Sequence, residues 1–334
     1  MTQNPRRSAL KRIATAGATL AATQAISVGM TWAQQTVAWT TKPVRLLVGY
    51  PPGGPVDLAA RSFGATLEKV IGQSVVIENK GGASGMVAAQ SIAQAPSDGS
   101  YLFFAASPTI SIAPHLQKGN NFDPLTQISP IAQVVEYANV LMVNKDLPFR
   151  SVTDLVNFAK ANPDKLSFGS AGVGGSNHLS AELLKKITQT QMVHVPYRGN
   201  APAMLDVMGG KIAFMFDIVI TAKGHHESGK ARALAVTSKT RNRALPEIPT
   251  MVEAGVPGFD VTGWFALYGP NSLSRETVAK INQATKQTLS QAALVTRMTE
   301  LGFEVKHSSA EELASLAKTE HGMWAEVIRG LKID

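Results

Sequence analysis

The residues best placed to do chemistry lie in Gly49-Tyr50-Pro51-Pro52-Gly53-Gly54-Pro55-Val56-Asp57. An apolar run ends, a glycine-rich bend follows, and a helix opens with Pro55 near its first position. The N–H groups of a helix start have no partner within the helix, and the helix dipole adds positive potential, so such a start favours an anion. Glycines let a solute approach the main chain closely. Asp57 would repel a second carboxylate. Its expected role is to bond back to the loop amides and stiffen the bend, or to accept from a ligand hydroxyl or amine. Alone, this motif fits an anion cradle and a plain turn equally well. The pattern recurs, however, in Gly81-Gly82-Ala83-Ser84-Gly85, Ala106-Ser107-Pro108-Thr109, Gly172-Val173-Gly174-Gly175-Ser176-Asn177-His178 and Tyr197-Arg198-Gly199-Asn200. Each of these bends is expected at the carboxyl end of a predicted strand, where open parallel sheets bind ligands. Several helix starts and small hydroxyls converging there would suit a carboxylate held by neutral hydrogen bonds and water.

Other chemistries are less well supplied. Ser176, His178 and Asp217 could be combined into a hydrolase, but there is no G-x-S-x-G elbow, and helix residues two apart do not face each other. His225-His226-Glu227 lacks further ligands at metal spacing and reads as a solvated helix face. Gly209-Gly210-Lys211-Ile212 lacks the earlier glycine and the hydroxyl of a phosphate-binding loop. Arg61 stands four residues after Asp57 and is its expected ion-pair partner. Arg198 could clamp a carboxylate or form an external ion pair. Cysteine is absent, which excludes disulfides, thiolate nucleophiles and thiolate metal sites.

These bends need a frame. The 334 residues exceed what one core usually organises, so two domains are expected. Arg6, Arg7, Lys11 and Arg12, with no acid among residues 1–33, supply half of the formal charge of +8. The other cations are scattered and form no basic run interleaved with aromatics, so nucleic-acid binding is not expected. Residues 1–33 combine a basic start, an apolar stretch over 13–30 and Thr31-Trp32-Ala33 as a small-residue cleavage site, the pattern of an export signal peptide. The Arg6-Arg7 pair partly matches a twin-arginine signal, and the general secretory route stays open. A membrane anchor is the alternative, but Thr, Gly, Gln24 and Ser27 dilute the stretch.

Beyond the leader, strand-like runs at 44–48, 75–77 and 101–105 alternate with helical patterns at 56–70 and 84–95. A long strand-like stretch over 131–143 carries Glu136-Tyr137 in its middle. A second series follows, with strands at 166–168, 192–195, 212–216 and 231–236 and helices after Ser151, over 176–187 and over 200–208. A connection over 245–258 leads to a strand at 261–268 and closing helices, the last capped by Ser309-x-x-Glu312. This alternation predicts an α/β fold with mainly parallel sheets flanked by helices. Two series joined by two long strands predict two lobes, residues 39–138 with 245–334 and residues 139–244, with a ligand between them.

The chain resembles a known family over nearly all of its mature length. Residues 49–57 with Arg61, 79–85, 169–179, Val195-Pro196-Tyr197-Arg198-Gly199, and Phe216-Asp217 followed by 231–237 are similar, in order, to the Bug family, the extracytoplasmic solute receptors of tripartite tricarboxylate transporters. The resemblance implies a two-lobe type II periplasmic-binding-protein fold and a small carboxylate gripped by two loops through backbone amides and ordered water. It implies a monomeric periplasmic protein that hands its solute to membrane permease subunits, without catalysis, cofactor or metal. The first-lobe grip falls on Tyr50, Pro52, Gly53, Gly54 and Asp57, with Ser84 and Ser107 as additions. The second-lobe grip falls on Ala171, Gly172, Gly174, Ser176 and His178, with Asp217 facing the cleft. Ile218 departs from the Asn expected after that Asp. Dicarboxylates, citrate-like tricarboxylates, acidic amino acids, nicotinate and aromatic acids are all admissible ligands.

Overall fold

The computed structural model describes residues 38–116, 121–197 and 199–329; the expected leader and Arg198 lie outside them. Strand β1 (Val44–Val48) buries every residue except Arg45, as a strand covered on both faces must. It pairs in parallel with β2 (Val75–Asn79) and β3 (Tyr101–Ala106). Helix α1 (Pro55–Ile71) crosses from β1 to β2. Its buried stripe is Val56, Ala59, Ala60, Phe63, Leu67 and Ile71, and Gly72 ends it in a left-handed cap whose N–H reaches the Glu68 carbonyl. Between β2 and β3 the sequence predicts one helix over 84–95. The structure has a 3₁₀ turn (Ala83–Gly85) and then α2 (Met86–Ala93). Ser84 and Gly85 take φ of 54° and 89°, so a single helix cannot run through them. The bend brings the Gly85 backbone so close that a Cβ on Gly49 would lie 2.7 Å from the Gly85 Cα.

After β3 come a π turn (Pro108–Ile112), α3 (Ala113–Leu116) and α4 (Pro124–Gln127). Strand β4 (Ile128–Asn144) then runs through both halves of the fold. In its first half it pairs antiparallel with β9 (Thr262–Pro270), as far as Ala138 opposite Thr262. From Asn139 onward it pairs antiparallel with β7 (Phe214–Ile218) and, on its other edge, from Val140 with β8 (Ala231–Val236). The first sheet therefore runs β2-β1-β3-β9-β4, and the second continues β4-β7-β5-β6, with β5 (Ser167–Ser170) and β6 (Val193–Pro196) parallel to each other and β5 parallel to β7. Each sheet has the expected parallel core of three strands, and the antiparallel strands gather around the crossing.

Helices α5 (Val152–Ala161), α6 (Ser176–Thr188), α7 (Asn200–Met208) and α8 (Val219–Glu227) belong to the second series. Helix α5 opens with a reciprocal capping box between Ser151 and Asp154. Helices α9 (Arg275–Leu289) and α10 (Ala292–Glu300), the short β10 (Glu304–Val305) and α11 (Ala310–Arg329) close the chain. The predicted Ser309–Glu312 capping box is present, with both bonds made. The expected lobe boundary at 244–245 adjoins a segment whose buried apolar residues join cores of the second sheet: Leu245, Ile248, Met251, Val256, Phe259 and Val261. Helix α11 contributes to both halves. Leu313 and Ala317 pack with Leu47, Phe103 and Trp264, whereas Trp324 and Val327 pack with Leu141, Phe168 and Phe216.

Candidate functional site

In the first half, Asp57 organises the bend ahead of α1. Its side chain is buried, and it accepts from the Gly53 N–H at 2.8 Å, Arg61 Nε at 2.9 Å and Asn79 Nδ2 at 2.9 Å. Burial pushes its pKa up, but these three donors outweigh it and hold the carboxyl below its ordinary range. Asn79 Nδ2 also donates to the Tyr50 carbonyl, and its Oδ1 accepts from Arg61. Asp57 thus stiffens the loop. One consequence differs from the simplest reading of the motif: the Gly53 N–H is already engaged. Gly54, the N-cap of α1, offers no side chain to the first amides of the helix, so the donors presented by this bend come from Gly54 onward. Pro52 and Gly53 are exposed at its tip.

Tyr50 points from the same bend toward the turn after β2. Its hydroxyl donates to the Ser84 carbonyl at 3.3 Å and lies 3.3 Å from Thr109 Oγ1, which itself donates to the Ser84 carbonyl at 2.8 Å. Ser107 is buried and accepts from the Trp264 backbone N–H at 3.2 Å.

In the second half, residues 171–175 link β5 to α6. Gly175 caps α6 without a side-chain bond. Ser176 opens the helix, half-buried, with Ala171 and Gly172 half-buried beside it. Gly174 is buried against Ile112 and Leu116, which come from the first half. His178 is buried. Its Nδ1 accepts from the Gly174 N–H at 3.1 Å, and Nε2 lies 3.8 Å from Glu182. Asp217 is buried as well. Asn200 Nδ2, the Ile218 N–H and Thr221 Oγ1 donate to it. Burial raises its pKa, against the pull of those donors. Asn177 Nδ2 donates in turn to Asn200 Oδ1. A polar relay Asn177–Asn200–Asp217–Thr221 therefore ties together the starts of α6, α7 and α8. With its oxygens so occupied, Asp217 acts as the anchor of that relay. The hydrolase combination has no line of bonds through it: the ring nitrogens of His178 face Gly174 and Glu182, and the carboxylate of Asp217 faces Asn200, Ile218 and Thr221.

Tyr137 brings the two halves together. It sits on β4 two residues before the strand changes partner, opposite Gly263 of β9. A Cβ on Gly263 would strike the Tyr137 ring and hydroxyl, so only glycine admits the ring here. Burial, chiefly, and the neighbouring Tyr50 raise the pKa of the Tyr137 hydroxyl, while interactions with the hydroxyls of Ser176 and Ser107 lower it. The groups that shift this phenol thus come from both halves, Tyr50 and Ser107 from the first and Ser176 from the second. The sequence reading placed Tyr137 in the long strand and gave it no role. Its one available signal was a tyrosine in the middle of an otherwise apolar crossing strand. Asn79, Asn177 and Asn200 were also given no role, because a single amide at the end of a strand or the start of a helix carries no periodic signature.

Among the described residues no three His, Cys, Asp or Glu side chains cluster as metal ligands, and no helix is long and apolar enough to cross a membrane.

Comparison with known proteins places this geometry. Residues 59–333 match the tripartite tricarboxylate transporter family receptor. The protein is similar to a Rhodopseudomonas palustris protein, Rpa4515, solved with adipate, at 32% identity over 87% of this chain and 97% of that one, with a TM-score of 0.81. MatC from the same organism, solved with bound malate, is 30% identical over 86% of this chain and 99% of that one, with a TM-score of 0.77. The periplasmic binding protein BugD is 33% identical over 87% of this chain and 97% of that one, with a TM-score of 0.76. The likeness extends over most of the chain in both sequence and fold, and the chain belongs to the receptor family of the tripartite tricarboxylate transporters.

Proposed function

We propose that the protein is a periplasmic solute receptor that closes on a small carboxylate between its lobes and delivers it, unchanged, to the membrane permease of a tripartite transporter. The observation that carries this reading is a pair of helix starts, α1 and α6, each opened by a glycine N-cap that offers no side chain to the first amides. Such donors neutralise a carboxylate without a formal cation. The malate and adipate held by the two relatives are the first ligands to test. The export signal in residues 1–33 supports delivery to the periplasm, and the mature chain acts as a monomer. Closure is a rotation about the crossing strands.

The test is a thermal-shift screen of malate, adipate, citrate, nicotinate and acidic amino acids, with the acid recovered afterwards and weighed by mass spectrometry. A ligand at a hundred times its dissociation constant adds about 2.7 kcal/mol of stability. Gly54→Pro removes one presented amide at a φ of −77° that proline accepts, and should erase the shift, while Gly54→Ala should keep it. A panel that leaves the melting curve unmoved, or an acid recovered chemically altered, would overturn the receptor reading.

A further inference from the structure

The loop that carries the second-lobe grip is shaped by residues outside it. Over 171–175 the chain makes one bend, with φ of 135° at Gly172 and 80° at Gly174. No sheet ladder holds such a bend; one backbone bond, from the Gly175 N–H to the Gly172 carbonyl at 3.3 Å, and a set of side-chain bonds hold it. Ser170 Oγ accepts from the Gly172 N–H at 3.2 Å and donates to the Gly172 carbonyl at 3.1 Å. His194 Nε2, on β6, lies 2.6 Å from the same oxygen. His178 Nδ1 takes the Gly174 N–H. The two imidazoles stack with centroids 3.9 Å apart, and Phe168 stacks on His194 at 5.0 Å.

We propose that His194 and Ser170, acting with His178, are positioning residues for ligand capture: the stacked imidazole pair fixes the 171–175 loop in the shape that presents the opening amides of α6 to the solute. This rests on the receptor reading above.

Proton accounting supports it. A hydroxyl has one proton and two lone pairs. Ser170 accepts from the Gly172 N–H, and its one proton serves either the Gly172 carbonyl or His194 Nε2, so either ring tautomer of His194 completes the contact. His178 accepts at Nδ1, so its own proton is on Nε2, toward Glu182, and this tautomer follows from the network. The charged groups facing the pair are Glu182 and Lys185 of α6, themselves paired at 2.8 Å, with the Lys185 ammonium 5.6 Å from the Phe168 ring centroid. Burial first, then the neighbouring His194 and Lys185 charges, push His178 down to about 3, and burial followed by Lys185 pushes His194 to about 4. The pair is therefore neutral at neutral pH. A proton on His178 Nδ1 would face the Gly174 N–H donor to donor and release the loop.

His194→Phe keeps the volume and the stack and removes only the nitrogen that meets Ser170. Ser170→Ala removes that oxygen, and His194→Gln restores a donor at nearly the same point. Two readouts are needed: deuterium exchange of loop amides over 170–178 in the ligand-free protein, and calorimetric titration with malate and adipate. Exchange in the loop should quicken about three- to tenfold in His194→Phe and Ser170→Ala, the worth of one hydrogen bond. Affinity should fall by a similar factor, and His194→Gln should recover both. Loop exchange in His194→Phe equal to wild type, or His194→Gln behaving like His194→Phe, would overturn the proposal. If His194→Phe fails to fold, Ser170→Ala carries the same decision. Failure of wild type to bind either acid would count against the receptor reading, while the ligand-free exchange still decides the role of the pair.

Discussion

At the scale of single residues, two buried titratable sites act on stability in opposite directions. His178 and His194 have folded pKa values of about 3 and about 4, below the ordinary 6.5. The unfolded chain therefore binds more protons between those values. The stability they contribute is present above pH 6.5 and is lost as pH falls toward 4. Glu320 is the reverse. Burial, above all, raises it from 4.5 to about 7, against the hydrogen bond that Trp264 Nε1 donates at 2.9 Å and with Glu136 and Asp260 adding to the rise. Its contribution is present below pH 4.5 and is lost as pH rises through about 7. Melting curves from pH 4 to 8 should show His194→Phe flattening the acid-side fall and Glu320→Gln flattening the alkaline-side fall. Unchanged slopes in both would contradict the assignment. Asp57 gives a third expectation. Asp57→Ala leaves the Gly53 N–H and Asn79 without their acceptor, costing about 1–3 kcal/mol, and loosens the bend that carries Gly54. Urea unfolding and titration with the identified ligand would measure the two effects separately.

At the scale of elements, the crossing of β4 and β9 is the critical joint. Gly263→Ala would drive a methyl group into the Tyr137 ring, and overpacking of this kind costs about 1–3 kcal/mol. Tyr137→Leu in the same chain should recover stability but not ligand binding, since it makes room without restoring the hydroxyl. Denaturant midpoints and a titration distinguish these. This joint also shows where the sequence could be read and where it could not. Local signals with short range were legible: the β1–bend–α1 unit, the helix start at Ser151, the box at Ser309–Glu312, and the small-residue bends at strand ends. Asp57 as a stiffener was legible because its partner Arg61 is one helical turn away. Tyr137 was not, because its meaning depends on Gly263, Ser107 and Ser176, all distant in sequence. His178 could be named as a helix-start residue, but its burial against His194 depends on the pairing of β5 with β6. The left-handed Ser84 was hidden for a related reason: its conformation is imposed by Tyr50 and Thr109 bonding its carbonyl, and serine itself does not favour it.

At the scale of the molecule, β4 and α11 each belong to both halves. Trp324 and Val327 are anchored in the second core and Leu313 and Ala317 in the first. The halves should therefore unfold as one cooperative unit despite two sheets. Calorimetry should give a single transition with equal calorimetric and van't Hoff enthalpies. Trp324→Ala, expected to cost about 3–5 kcal/mol, should lower that one transition and not split off an early one. A resolved second peak would show that the shared elements do not couple the halves.

An unbroken strand can twist but cannot stretch, and this limits what β4 allows. Any swing between the sheets becomes a lever with its fulcrum near Tyr137. Displacement is then smallest at the fulcrum and grows toward the outermost strands, β2 and β6, which stand at opposite ends of the strand order. Val76 and Val193 lie on those two strands, 46% and 45% exposed. The protein contains no cysteine of its own, so a pair of dyes attached through cysteines at these two positions would report solute capture as the longest stroke on the molecule, while a pair flanking Tyr137 would stay almost silent.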